Sequence, residues 1–279
     1  MRAHLCLQAR RRWNAENIKP HQVKIRVHDG IEIAVALYRP EGDGPHPVVL
    51  AASPYRCDNN TLPATPQFLW RETGPIELYV ERGYVYAQMD VRGCGKSGGE
   101  LRFLDRNEQK DLYDVIEWLA RQSWSNGKVG GIGQSYFCMV QWWTAIQRPP
   151  SLACIAAFDG LNDPYRASVY QGGILGDFLA VEPRREQTCD LNLLPRRHPT
   201  YDEFWRERCA AEHLHEIEVP LYSIGVGARS TCIPASISTA FVARPVRESS
   251  KYRAAGSPIR RVRGARWQAR WQAGRSGSC

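Results

Sequence analysis

Residues 128–143, K-V-G-G-I-G-Q-S-Y-F-C-M-V-Q-W-W, constrain what this chain can fold into more than any other stretch. Val129, Gly130, Gly131 and Ile132 make a short run suited to a buried strand, Gly133 permits a close turn, and residues 136–146 predict a helix. Strand, sharp turn and helix in that order hold the Ser135 hydroxyl clear of the backbone. They also aim the backbone N–H of Tyr136, at the helix start, toward an oxyanion. The usual string for such a nucleophile elbow is G-x-S-x-G, and here Phe137 stands where its second Gly belongs. On these residues alone a helix-capping Ser is the commoner reading and a nucleophile the rarer one.

The flanking sequence supplies a sheet for that turn. Residues 23–38 alternate apolar and polar side chains on both sides of Asp29-Gly30, which predicts a two-residue hairpin between antiparallel strands at the sheet edge. Residues 47–52, P-V-V-L-A-A, read as a strand covered on both faces, ending at Ser53-Pro54-Tyr55, where loops commonly carry ligand groups. A helical segment is expected over 66–81 and a strand over 84–89. The glycines of D-V-R-G-C-G-K-S-G-G-E at 90–100 fit neither a dinucleotide fingerprint nor a Walker loop. Asp105 with Glu108 resembles a capping box, and Leu112, Val115, Ile116 and Leu119 repeat at helical spacing, so a helix is expected over 107–122. Residues 152–158 read as the next buried strand, and the β-α-β alternation predicts a largely parallel sheet. From 159 to 216 the strand pattern disappears, and 201–216 reads as helix. Residues 219–224 then restore a strand, as when a cap is inserted over the site of a continuing sheet.

Composition limits the function classes. A chain of 279 residues with 43% hydrophobic content can bury a sizeable core. No apolar run approaches the roughly 20 residues of a membrane span, and the basic start of the chain lacks the apolar core of a secretory signal, so a cytoplasmic location is expected. Nine Cys with no C-x-x-C pair suggest reduced thiols rather than disulfides or a zinc site, and no metal or cofactor is expected. The net charge of +8 is uneven: residues 227–279 hold ten Arg and Lys251 against the single acid Glu248, which leaves the remaining 226 residues at −2. Trp267 and Trp271 interleave with Arg263, Arg266, Arg270 and Arg275. Solvated disorder is the expectation for this tail, with no nucleic-acid partner; an arm for nucleic acid or acidic membrane is the alternative.

S-P-Y at 53–55, D-V-R-G-C-G-K-S-G-G at 90–99, I-E-W-L-A-R-Q-S-W-S-N-G-K-V-G at 116–130 and G-Q-S-Y at 133–136 occur in this order, with Pro149-Pro150 and Tyr170-Gln171-Gly172-Gly173 beyond them. Together, over about residues 23–225, they resemble the X-Pro dipeptidyl-peptidase and cocaine-esterase family of α/β-hydrolases. The resemblance implies an N-terminal extension over 1–22 and an α/β-hydrolase core over 23–158 with an N-terminal antiparallel hairpin. It further implies a helical cap over 159–216, a returning core strand over 217–226, and a non-family tail over 227–279. The family sets its elbow Gly one residue later than the general string, so Phe137 conforms and Cys138 is the departure. By this resemblance Ser135 is the nucleophile, while the Tyr136 backbone N–H and the Tyr55 hydroxyl are the oxyanion donors. The implied reaction is acyl transfer on a small-molecule ester or on a peptide or other amide.

That reaction needs a His base and an acid to orient it. The family's acid follows the strand that 219–224 resembles, and its His comes later, yet this sequence has no Asp after Asp202 and no His after His215. Beyond Gly227 there is no Leu, Asp, Asn or His, which suggests a shifted reading frame or mis-joined exon and a truncated catalytic domain, whose missing Asp and His can leave the expected serine hydrolase inactive. Asp159, after the strand that follows the elbow helix, is the remaining candidate acid, with a turn or cap as the bland reading. His198, His213 and His215 read as loop or solvated-helix residues. A catalytically dead binding protein and a nucleic-acid-associated protein acting through the tail are the alternatives to a serine hydrolase.

Overall fold

The computed structural model describes residues 19–42, 44–55, 72–176 and 193–224. The expected N-terminal extension, apart from its last few residues, and the Arg-rich tail lie outside them, as do residues 66–71 of the expected helix at 66–81. Strands β1 (His21–Arg26), β2 (Glu32–Tyr38) and β3 (His46–Ser53) are followed by α1 (Ile76–Glu81), β4 (Val85–Asp90), α2 (Arg106–Ala120), β5 (Ser125–Gln134), α3 (Tyr136–Ile146) and β6 (Leu152–Phe158). The order in the sheet is β1-β2-β4-β3-β5-β6, closed among the described residues by a last strand at Leu221–Ile224. The first two pairings are antiparallel and the rest parallel, which is the α/β-hydrolase arrangement read from the sequence. No helix among the described residues is long and apolar enough to cross a membrane.

The edge hairpin closes through three residues rather than two. Val27 N–H donates to the Ile31 carbonyl at 3.0 Å and Gly30 N–H to the Val27 carbonyl at 2.8 Å, with Gly30 left-handed at φ 85°. The longer loop lets Asp29 reach Arg92. That guanidinium donates to Asp29 Oδ2 at 2.6 Å and, through Nε and Nη2, to the two oxygens of Asp111 on α2 at 2.8 and 2.7 Å. The hydrogen bond from Arg92 holds the Asp29 carboxyl down to about 2.

The glycine run after β4 is a loop folded onto Asp90. Lys96 N–H donates to the Asp90 carboxylate at 3.0 Å, and the Ser97 hydroxyl donates to the Asp90 carbonyl at 2.6 Å while accepting Ala34 N–H at 2.8 Å. A Cβ at Gly95 would run into the Asp90 carboxylate, so this glycine serves close packing. Helix α2 buries Leu112, Val115, Ile116 and Leu119 as its spacing predicts. Its N-cap is half of a capping box: Asp105 Oδ1 accepts Glu108 N–H at 2.9 Å, but the Glu108 carboxyl turns instead to Leu104 N–H at 2.8 Å.

Four further expectations need correction. Helix α1 begins at Ile76, not within residues 72–75, because Pro75 is extended at ψ 118° and Gly74 is left-handed at φ 87°. The cap is not purely helical. A five-residue π turn, Tyr165–Val169, leads into a ribbon of β7 (Tyr170–Gln171) and β8 (Ile174–Leu175), joined by Gly172 and Gly173 at φ 62° and 82°. After α4 (Leu193–Arg197), the helix expected over 201–216 is broken into α5 (Glu203–Arg208) and 3₁₀ turns at Ala210–Glu212 and Leu214–Glu216. Here tertiary demand overrides helical spacing: Trp205 is fully buried, and Arg208 reaches out of the cap to the Phe103 carbonyl at 2.8 Å. The returning strand, β9 (Leu221–Ile224), starts two residues later than expected and runs parallel to β6.

Candidate active site

Ser135 is the single residue between β5 and α3, with φ 60° and ψ −124°. A left-handed φ at a residue with a Cβ costs about 1–3 kcal/mol and persists only where its surroundings over-determine it. Here the Ser135 N–H donates to the Phe158 carbonyl of β6 at 3.2 Å, and Gln134 N–H donates to the Glu72 carbonyl at 2.7 Å. The Ser135 carbonyl accepts Cys138 and Met139 N–H at 3.0 and 3.1 Å, which starts the helix. A Cβ at Gly133 would run into that of Phe137, so the glycine two residues before Ser135 is required. Every residue of α3 is buried. That explains its largely apolar sequence, with no solvent-facing stripe and only Gln141 and Thr144 polar.

Cys138 stands where the resemblance implies Gly, and the room for it comes from elsewhere. A Cβ at Gly160, just past β6, would run into Cys138 Cβ and the Ser135 carbonyl. Gly160 therefore provides the room that Cys138 takes. Burial pushes the Cys138 thiol up to about 12, so it is no competing nucleophile.

Strand β3 lies next to β5, so the loop after it reaches the elbow. The Tyr55 ring packs edge-on against Tyr136 and Phe137, with centroids 6.2 and 5.7 Å away. Tyr55 thus lies against the two residues that follow Ser135. The Tyr136 side chain points into the core, however, and its hydroxyl donates to the Glu108 carboxyl at 2.9 and 3.1 Å. What Tyr136 can present to a substrate is its backbone N–H, in the first turn of α3, where amides have no partner within the helix and the helix dipole favours negative charge.

Among the described residues the histidine candidates are not assembled with Ser135. Asp159 follows β6 at φ 47°, and its charge bears on Cys138, one helical turn beyond Ser135. His198 is bonded to Asp202 at 2.7 Å and stacked on Phe204 at 4.1 Å. His213 is bonded to Glu216 at 2.7 Å and packs 5.7 Å from the Trp143 ring. Trp143 is eight residues along α3 from Ser135, or about 12 Å along the axis. His215 is exposed on the last 3₁₀ turn. Among the described residues no hydrogen bond joins Ser135 to a histidine, and no group of three or more His, Cys, Asp or Glu could hold a metal ion.

Glu108 is the residue that the sequence did not bring to this site. It is 1% exposed, and burial raises its carboxyl to about 7 against the hydrogen bonds from Leu104 and Tyr136. Its Asp-x-x-Glu spacing reads as a helix cap, which masks the long-range bond to Tyr136.

Comparison with known proteins identifies the family and the fold. The sequence profile of the X-Pro dipeptidyl-peptidase (S15) family matches residues 29–180, more than half of the chain. Cocaine esterase from Rhodococcus sp. (strain MB1 Bresler) is 35% identical over 152 residues, covering 54% of this chain and 25% of the esterase. A putative serine esterase from Mycobacterium bovis is 28% identical over 162 residues, covering 54% of this chain and 26% of that protein. The chain thus spans about a quarter of the length of these relatives. A CocE/NonD family hydrolase from Staphylococcus aureus superposes with a TM-score of 0.62 at 33% identity, over 72% of this chain and 39% of that one. An α-amino acid ester hydrolase shares the fold at a TM-score of 0.61 and 21% identity, over 80% of this chain and 45% of that one.

Proposed function

This chain belongs to the X-Pro dipeptidyl-peptidase (S15) family of hydrolases, and on that premise we propose that Ser135 is an acyl-transfer nucleophile acting on an ester or amide substrate. The observation that carries this reading is the left-handed Ser135 between β5 and α3, held from β6 and the Glu72 loop. Strain over-determined from several sides at a half-buried turn is the signature of a site, whereas a simple helix cap is extended and unstrained.

In the proposed reaction Ser135 Oγ forms a bond to the substrate carbonyl carbon while its proton passes to a base. The carbonyl oxygen, now an oxyanion, is met by the Tyr136 N–H and the Tyr55 hydroxyl. The C–O or C–N bond then breaks, the leaving group takes the proton, and water releases the acyl group from Ser135. Asp159 is the proposed acid among the described residues, because it emerges beside the elbow after β6.

One observation favours a second reading, a protein that binds such substrates without turnover: among the described residues, His198 and His213 are engaged with Asp202 and Glu216 rather than with Ser135. Labelling of the full chain with a fluorophosphonate separates the two. Labelling abolished by Ser135→Ala establishes an activated Ser135; a folded chain that takes no label but is thermally stabilised by an ester or amide ligand is the non-catalytic binder.

A further inference from the structure

The loop before α2 is an unusual piece of backbone. Phe103 and Leu104 are both left-handed, at φ 55° and 58°, and neither is glycine. Two such residues in succession are strained, and side chains from two directions hold them. From the cap, Arg208 donates to the Phe103 carbonyl at 2.8 Å and the Arg102 carbonyl at 3.0 Å. From α2, Gln109 donates to the Leu104 carbonyl at 2.9 Å and Glu108 accepts the Leu104 N–H at 2.8 Å. The Phe103 ring in turn packs edge-on to Tyr136 at 6.1 Å, and the same Glu108 carboxyl binds the Tyr136 hydroxyl.

We propose that Glu108 is a positioning residue, whose buried carboxyl fastens the Tyr136 side chain and the 102–104 loop together and so fixes the backbone at Ser135. One carboxyl oxygen takes the Leu104 N–H and both lie within reach of the Tyr136 hydroxyl, so a single side chain ties the cap-braced loop to the first residue of α3. Glu108 Oε2, as the carbonyl oxygen of a protonated carboxyl, accepts the Leu104 N–H at 2.8 Å and the Tyr136 hydroxyl at 3.1 Å. The carbonyl oxygen of a Gln side chain can accept the same two donors. The groups facing Glu108 are Asp105 and Asp111 on its own helix segment, the Tyr136 hydroxyl from α3 with Cys94 and Tyr55 behind it, and Arg208 from the cap.

Proton linkage gives the fastening a sign. Opening this region hydrates Glu108 and returns its carboxyl from about 7 toward 4.5, so the open form releases a proton. The closed form is then favoured below about 4.5 and loosens as pH rises toward 7. The positioning itself does not depend on whether Ser135 is the nucleophile; only its catalytic consequence rests on that reading.

The test is hydrogen exchange of the full chain, corrected for intrinsic rates, in peptides covering 102–105 and 133–139. Fluorophosphonate labelling is followed in parallel. In the wild type, protection of both segments should fall as pH rises between about 4.5 and 7. Glu108→Gln should hold both segments closed with no such pH dependence, and Glu108→Ala should open both by about tenfold, the equivalent of one lost hydrogen bond to a buried group. Tyr136→Phe should loosen 133–139 and leave 102–105 closed. Should Glu108→Ala fail to fold, the flat pH profile of Glu108→Gln and the segment selectivity of Tyr136→Phe still decide the matter. A Glu108→Gln chain that keeps the wild-type pH profile, or a Glu108→Ala chain that opens 102–105 alone, would overturn the proposal. Absence of labelling in every chain refutes Ser135 as a nucleophile and leaves the exchange result standing.

Discussion

Cys138 and Gly160 show how two residues from different elements share one constraint. The elbow brings α3 so close to the end of β6 that only one of the two positions can carry a side chain, and Cys138 has it. Gly160→Ala should therefore destabilise the chain by about 1–3 kcal/mol through overpacking. Adding Cys138→Gly should recover part of that loss, read as a coupling in a double-mutant cycle of thermal unfolding. The recovery is partial because the added Cβ also meets the Ser135 carbonyl. Ser135 itself makes the opposite prediction. Its φ of 60° is permitted to glycine without strain, so Ser135→Gly should raise stability by roughly 1 kcal/mol while abolishing any phosphonate labelling. A Ser135→Gly chain less stable than the wild type would show that the backbone is relaxed there, which would remove the chief support for the nucleophile.

At the scale of elements, the sheet and its helices are held in register by buried polar ties as well as by apolar packing. Arg92 and Asp111 are 6% and 0% exposed, and with Asp29 they clamp the edge hairpin to α2. Removing one member leaves an uncompensated buried charge, so Arg92→Met should destabilise by about 3–5 kcal/mol in denaturant unfolding. Replacing both, Arg92→Met with Asp111→Leu, should recover most of the loss if the clamp serves geometry rather than net stability. The strands of the main sheet, α2 and α3 were legible from alternation and helical spacing, because each is a local pattern matched by a local structure. The break of the expected 201–216 helix was not. Its cause is the pull of Trp205 into the core and of Arg208 toward residues about a hundred positions earlier in the chain.

For the whole molecule, Glu108 couples the interior of the site to folding. Its carboxyl is raised from 4.5 to about 7 by burial, so the folded chain binds the proton that the unfolded chain has lost. Its contribution is full below 4.5 and declines as pH rises through 7, by about 3 kcal/mol in all at about 1.4 kcal/mol per pH unit. Asp29, lowered from 3.8 to about 2, works the other way: its contribution is present above 3.8 and lost as pH falls through 2. Both contributions are present together between about 3.8 and 4.5, and Asp111, raised by burial from 3.8 to about 6, adds to the decline above that range. In thermal melts across pH, Glu108→Gln should reduce the decline toward pH 7, and an unchanged decline in that variant would assign it to other groups.

The sequence by itself determined the class of sheet, the positions of the elbow strand and helix, and the family. Periodicity, turn glycines and the ordered strings around Tyr55, Asp90 and Ser135 are local, and a local pattern carries its structure with it. Only the tertiary structure decided that Tyr136 turns its hydroxyl inward to Glu108, that Gly160 makes room for Cys138, and that His198 and His213 are spent on Asp202 and Glu216. The contacts to Glu108, Gly160 and the cap join residues from 22 to 106 positions apart in the chain. The short histidine pairs also depend on where the cap breaks its helix. Such meetings follow from how elements cross and pack, which no run of neighbouring residues records.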